Sequence, residues 1–156
     1  MITPNRTPTL LTIGYEGLDL PQFMKYLKWH KVQVLVDIRE IAVSRKKGFS
    51  KSALAETMAA HGIGYEHIKA LGSPGSIRKQ LKSDWDYETF FSSYDDYLDS
   101  QREALEVLSE IIEKNRRVCL LCFERVHEEC HRSRVASRME QVFDGHLTVE
   151  PVKTWA

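Results

Sequence analysis

The stretch from Cys122 to Arg132, "CFERVHEECHR", holds two cysteines, two histidines, two arginines and three glutamates at the end of the apolar run "VCLLC". Such residues can ligate a metal, cradle an anion or supply a sulfur nucleophile. Cys119 and Cys122 have C-x-x-C spacing, but side chains alternate along a strand, so positions three apart point to opposite faces. Cys119 is therefore expected in the core. Cys122 and Cys130 differ, because a strand ending near Glu124 and a helix beginning near Glu129 or Cys130 let both sulfurs face one crevice. Zinc there would need about four ligands, recruited from His131, Glu124, Asp37 or His127. A reversible Cys122–Cys130 disulfide is the redox counterpart of that reading.

An anion site is the better supported alternative. N–H groups at a helix start carry partial positive charge, and this one bears Cys130, His131 and Arg132. Arg39 is expected to project into the same space, and a guanidinium grips an oxyanion through paired donors. The chain has no Gly-rich phosphate loop. Neither Cys122 nor Cys130 has an arginine at the offset of a Cys-x5-Arg loop. The positive field would favour a Cys130 thiolate, with His67 or His131 as base. Cys130 or Cys122 then attacks an electrophile whose anionic part rests on Arg39 and Arg132. The alternative is a small buried Cys130 at a helix start, with His131 as a capping donor.

Elsewhere, "VDIRE" places Asp37 and Arg39 on one strand face. They form either an internal salt bridge or a functional pair in which Asp37 positions His131 or Arg132. Tyr15 and Glu16 can offer a hydroxyl and a carboxylate. "SRKKGFSK" gathers Arg45, Lys46, Lys47 and Lys51 around Phe49. It reads as a solvated loop or as a small nucleic-acid patch, with cations for phosphates and a ring for stacking.

The elements that must position these groups follow from periodicity. Apolar runs of strand character are Leu10–Tyr15, Val32–Ile38, Ile63–Ile68, Val118–Glu124 and Leu147–Val152, two of them continuous enough to be covered on both faces. Between them, Asp19 and Gln22 form a capping-box pattern ahead of the stripe Phe23, Met24, Leu27. A second helix runs from Ser50 to a stop at Gly62. "DYETFFSSYDDYLDSQREALEVLSEIIEKN" reads as one long helix or two joined near Ser100, with Phe90, Tyr94, Tyr97, Leu105, Leu108 and Ile112 facing inward. A last helix shows Val135, Met139 and Val142 at helical spacing. "LGSPGS", Leu71 to Ser76, is the Gly/Pro break and a candidate mobile lid.

Strands alternating with helices predict an α/β single-domain, three-layer Rossmann-like sandwich with a mostly parallel central sheet of about five strands. Residues 9–153 are expected to form this domain, with 1–8 a short N-terminal extension. Ligands in such sheets bind beyond the carboxyl ends of the strands. That places Tyr15, Asp37, Arg39, His67, Cys122 and Glu124 where function is expected.

"TIGYEG", "LVDIRE" followed by "SR", "FSKSAL", "HGIGYEHIKALG" and "CFERVHEECHR" together resemble the family known as domain of unknown function 488. The resemblance runs from about Leu11 to about Val152, and the Cys-His-Arg block at Cys130–Arg132 is its most diagnostic element. Many members carry His-Ser where Tyr15 and Glu16 stand, and a proline within the segment that here reads "EIAV". The resemblance implies the fold and the site's location, and it specifies no reaction.

Composition bounds the rest. Of 156 residues, 42% are hydrophobic and 28% charged, with zero formal net charge, so bulk attraction to nucleic acid or an acidic membrane is not expected. No apolar run approaches the roughly 20 residues that span a bilayer. Three cysteines argue against a disulfide scaffold and for the cytoplasm. The expected function is an enzyme acting on an anionic, phosphate-containing or nucleotide-like substrate at a Cys/His/Arg crevice. Its catalytic candidates are Cys130, His131, Cys122 and Asp37. Its ligand-binding candidates are Arg39, Arg132, Glu124, His67, Tyr15 and Arg45. The alternatives are a non-catalytic nucleic-acid module using Arg45–Lys51, and a metal- or redox-dependent regulator using Cys122 and Cys130. The partner is thus an anionic small molecule or nucleic acid, not a membrane. No metal is assigned, and cofactor and oligomeric state are left open.

Overall fold

The computed structural model describes residues 7–154, so most of the expected N-terminal extension lies outside the described residues. The chain runs β1 (Thr9–Gly14), α1 (Leu20–Trp29), β2 (Val34–Asp37), α2 (Lys51–Ala60), β3 (Gly64–His67), α3 (Gly75–Asp84), α4 (Tyr87–Asp99), α5 (Arg102–Asn115), β4 (Arg117–Cys122), α6 (Arg132–Phe143) and β5 (Thr148–Pro151). The strands form one sheet in the order β3-β2-β4-β1-β5, and each neighbouring pair is parallel.

Alternate residues of the sheet feed two cores. Leu11, Ile13, Leu35, Cys119 and Leu121 pack with Phe23, Leu27, Leu54 and Met58 of α1 and α2. Leu10, Val36, Val118 and Leu120 pack with Tyr94, Leu98, Leu108, Ile112, Val135 and Met139 of α4, α5 and α6. This is the three-layer sandwich that strand–helix alternation requires. Among the described residues, no helix is long and apolar enough to cross a membrane.

The local signals act as their chemistry dictates. Asp19 accepts from the Gln22 amide and donates its own amide to the Gln22 side chain, both at 2.9 Å. Gly62 takes φ +70° just beyond α2, the left-handed turn that an absent Cβ permits. The long helical pattern divides at Ser100 and Gln101 into α4 and α5.

Three expectations are corrected. Val142 is exposed, so the apolar stripe of α6 is Val135, Ala136 and Met139. The "LGSPGS" segment does not form an open loop. Leu71 and Ser73 are buried, and α3 starts at Gly75. Gly72 lies so close to the Arg39–Glu40 backbone that a Cβ there would sit 2.2 Å from the Glu40 nitrogen. Finally, β4 ends at Cys122 rather than Glu124, and a single turn of 3-10 helix, His127–Glu129, precedes α6.

The topology fixes where a ligand fits. The helices after β1 and β2 lie on one face and α6, after β4, lies on the other. β4 stands between β2 and β1, so the loops at its carboxyl end part to opposite sides. A crevice opens at that divergence, and Cys122 is the last residue of β4.

Candidate functional site

The β1 and β4 ends are tied together past the strands. The Tyr15 amide donates to the Cys122 carbonyl at 3.2 Å, and the Glu16 amide donates to the Phe123 carbonyl at 2.8 Å. The Arg125 amide donates to the Glu16 carboxylate at 2.9 Å. Gly14 makes this crossing feasible, since a Cβ there would meet the Glu124 carbonyl oxygen at 1.7 Å. The chain after β4 is thereby turned so that Cys122, Glu124, Cys130 and His131 converge. One ligating atom from each lies within 4.8 Å of all the others.

His131 anchors this cluster. One imidazole nitrogen, Nε2, meets the Ile38 carbonyl at 2.8 Å, and the ring packs edge-on against Tyr94 at 5.2 Å. The other nitrogen, Nδ1, lies 3.6 Å from the Cys122 sulfur and 3.8 Å from the Cys130 sulfur. Cys122 donates to the Glu124 carboxylate at 3.1 Å. The three cysteines are free thiols. Cys119 sits in the opposite core, as strand alternation predicts.

The two sulfurs of the cluster are electrically unequal. Burial pushes the Cys122 thiol well up, and its neighbours Cys130 and Glu124 push it further. Burial also opposes ionisation of Cys130. There the hydrogen bond from Cys122 and the charges of His131 and Arg132 outweigh it, and hold the thiol well below its ordinary range. Burial disfavours the imidazolium of His131, but the Cys130 charge and the Ile38 carbonyl more than offset this and raise it. The Glu124 carboxyl is raised by burial and by Cys130.

Above the cluster lies a cleft of about 380 Å³. Its lining includes Cys122, Glu124 and His131, the cations Arg39, Arg78 and Lys82, and Tyr15 and Ser73. Ile41, Val43 and Phe123 line it as well and remain exposed. Lys82 is exposed and makes no ion pair among the described residues. Arg78 donates to the Glu40 carboxylate at 3.0 Å and to the Ser73 carbonyl, which fixes its head at the cleft wall.

A family model described as "Domain of unknown function DUF488" matches residues 19–139. The chain belongs to that family. No curated protein and no solved structure matches it. The DUF488 span takes in both Asp37–Arg39 and Cys122–Arg132, so the two blocks that meet across this crevice fall inside the family region.

Several residues expected at the site of this DUF488 chain have other partners. Asp37 is fully buried and does not orient His131 or Arg132. Its carboxylate accepts from Arg39 Nε at 2.8 Å, Arg39 Nη2 at 2.6 Å and the Tyr65 hydroxyl at 2.5 Å. Arg39 also donates to the Tyr15 hydroxyl at 3.2 Å. The pair is therefore the internal salt bridge, although a guanidinium has five N–H donors and Arg39 still lines the cleft. His67 belongs neither to the thiol cluster nor to the cleft lining, and its Nε2 meets the Arg39 carbonyl at 2.7 Å.

Arg132 is the largest fully buried side chain and is not part of the cleft lining. It donates to the Glu124 carbonyl and to the Arg125 carbonyl at 3.1 Å, clamping the loop that carries Glu124. Arg45 is exposed, but Phe49 is fully buried and stacks on Tyr15 at 4.6 Å. Lys46 donates to the Leu18 carbonyl at 2.6 Å. The basic loop thus has no ring free to stack on a base.

Sequence reasoning missed Tyr65, Ser73, Arg78 and Lys82. The signal for the last two was present, because Arg78 and Lys82 are four apart and share a helix face. It was masked because α3 buries no residue.

Proposed function

We propose that this chain is an enzyme acting on a small anionic substrate, phosphate-containing or nucleotide-like. The observation that carries the reading is the cleft itself, which gathers the cations Arg78, Lys82 and Arg39 into one lining with Cys122, Glu124 and His131. The anionic part of the substrate rests on the cationic wall, where charge-assisted hydrogen bonds are strong and directional. The non-ionic body lies along Ile41, Val43 and Phe123. Chemistry takes place at the floor, which combines thiol, imidazole and carboxylate within reach of a bound group.

The roles divide accordingly. Arg78 and Lys82 bind, and Arg39, held by Asp37 and Tyr15, gives the wall a fixed orientation. His131 is held by the Ile38 carbonyl with its second nitrogen turned to the sulfurs. Arg132 positions Glu124 through that residue's own carbonyl.

Calorimetric titration of the metal-free, reduced chain with inorganic phosphate and with a nucleoside monophosphate tests the reading. Saturable binding is expected for at least one of them. Arg78→Ala and Lys82→Ala should each weaken it by roughly tenfold, the worth of a hydrogen bond to a charged group. Cys122→Ser and Cys130→Ser should leave that binding in place. Absence of binding to both anions, or binding indifferent to both wall substitutions, would overturn the reading.

A further inference from the structure

We propose that Cys122, Cys130, His131 and Glu124 bind a divalent cation of the zinc class, with the Glu124 position, on the cleft side, the exchangeable one. The inference deepens the function proposed above, since it names the cofactor of the same cleft floor.

The spacing of the donors is the first argument. Zinc–ligand bonds of about 2.0 to 2.3 Å put the corners of a tetrahedron about 3.3 to 3.8 Å apart. Cys122 Sγ lies 3.1 Å from Glu124 Oε2 and 3.6 Å from His131 Nδ1. Cys130 Sγ lies 3.8 Å from the same nitrogen. The other separations are within 4.8 Å. Small rotations of four side chains close such a set on one ion.

The orientation of His131 is a second and independent argument. A carbonyl only accepts, so the contact between Nε2 and the Ile38 oxygen at 2.8 Å puts the proton on Nε2. The lone pair of neutral imidazole then lies on Nδ1, facing both sulfurs. A ligating histidine ordinarily has its far N–H fixed by a carbonyl or carboxylate in this manner. The Arg132 amide points at Cys130 Sγ from 3.5 Å, a donor that stabilises a ligating thiolate.

Charge supplies the third argument. Arg132 is fully buried, makes no ion pair with a carboxylate among the described residues, and has its Nε without a hydrogen-bond partner. Buried charge needs compensation. Two thiolates, one carboxylate and a divalent cation leave a single negative charge, which this guanidinium balances.

The donor set also selects the metal. Two soft sulfurs and an imidazole suit zinc and disfavour magnesium and calcium, which take oxygen ligands. Cys122, Glu124 and His131 line the cleft, and Glu124 is only partly buried. Exchange of its carboxylate for water or a substrate oxygen opens a position toward the cationic wall. That is the arrangement of three retained protein ligands and one open site.

The test uses the full chain prepared without a metal-affinity tag, stripped with a chelator under reducing conditions, and titrated with Zn2+ or Co2+ alone. One equivalent should bind. The cobalt form should show intense tetrahedral d–d bands and thiolate-to-cobalt charge transfer. Cys122→Ser, Cys130→Ser and His131→Gln should each weaken binding by a hundredfold or more, whereas Glu124→Gln should keep the charge-transfer band with weaker binding. Circular dichroism of the metal-free variants checks that each remains folded, and Cys119→Ala, in the opposite core, should bind as the parent does. Substoichiometric uptake, an octahedral cobalt spectrum without thiolate transfer, or uptake unchanged in Cys122→Ser would overturn the proposal. So would isolation of a Cys122–Cys130 disulfide that, once reduced, takes up no metal. Phosphate binding by the metal-free chain is read separately, so the anion reading and the metal inference stand or fall apart.

Discussion

Replacing Asp37 with asparagine should cost about 3–5 kcal/mol of stability, the usual loss when one partner of a buried ion pair is removed. Asp37 is fully buried and Arg39 nearly so, so water cannot take over the vacated role. The geometry leaves the amide no good orientation. On one side of the carboxylate stand the Arg39 amide at 3.1 Å and Nε at 2.8 Å. On the other stand Arg39 Nη2 at 2.6 Å and the Tyr65 hydroxyl at 2.5 Å. Whichever way the asparagine turns, its NH2 faces donors. With a urea dependence of about 2 kcal/mol per molar, the unfolding midpoint should fall by about 1.5–2.5 M. The pair is best isolated by a double-mutant cycle, in which Asp37→Asn with Arg39→Met loses clearly less than the two single losses added. A loss below about 1 kcal/mol for Asp37→Asn, or singles that simply add, would refute the claim that this carboxylate holds Arg39 at the cleft wall.

Gly14→Ala should disrupt the site as well as the fold, because the new Cβ would meet the Glu124 carbonyl carbon at 2.4 Å and its oxygen at 1.7 Å. Loss of Zn2+ uptake together with a lowered melting temperature is the expected readout, and a variant that melts and binds like the parent would contradict it. His127 makes stability fall with acid. Its half-buried ring, with Arg132 nearby, is held below the ordinary histidine range despite the opposing charge of Glu128. Below about pH 6.5 the unfolded chain therefore takes up a proton that the folded chain resists, and stability declines as pH falls through that value. In His127→Gln this part of the decline should vanish, so the difference between the two chains in urea titrations should change between pH 7 and pH 5. A constant difference would show that burial and the nearby Arg132 charge do not keep this ring neutral. Phe49→Ala should cost about 3–5 kcal/mol as a core truncation, whereas a neutral result would return the ring to the surface as a stacking platform.

Much of the frame was legible because it rests on short-range physics. The capping box at Asp19 and Gln22, the stop at Gly62 and the division at Ser100 each follow from local hydrogen bonding or backbone freedom. Continuous apolar stretches at Val34–Val36 and Val118–Leu121 announced strands covered on both faces, and the two cores bear this out. Alternation alone separated Cys119 from Cys122. The failures share a cause, since a charge in a sequence does not announce its burial. Arg132 reads as an anion ligand until the loop after β4 folds over it. Phe49 reads as an exposed ring among cations until α1 and α2 close around it. Helix α3 was not apparent, because a segment that puts no side chain into the core carries no apolar stripe. The cations Arg78 and Lys82 went unnoticed with it. Asp37 was read toward His131, yet besides Arg39 its donor is Tyr65 of the neighbouring strand, a pairing that register creates and no local pattern foretells.

The account depends most on a sulfur lying beneath a cationic wall. Peptide-mapped alkylation of the reduced, metal-free chain tests this, comparing anionic iodoacetate with neutral iodoacetamide at Cys122. The ratio of the two rates cancels the ionisation of the thiol and leaves the local potential. A field of a few kT should raise that ratio about tenfold over the same cysteine in the unfolded chain. The excess should shrink with added salt and in the Arg78→Ala, Lys82→Ala double variant, with Cys119 unlabelled by either reagent. A ratio equal to that of the unfolded chain, or labelling of Cys119 as fast as Cys122, would contradict the account.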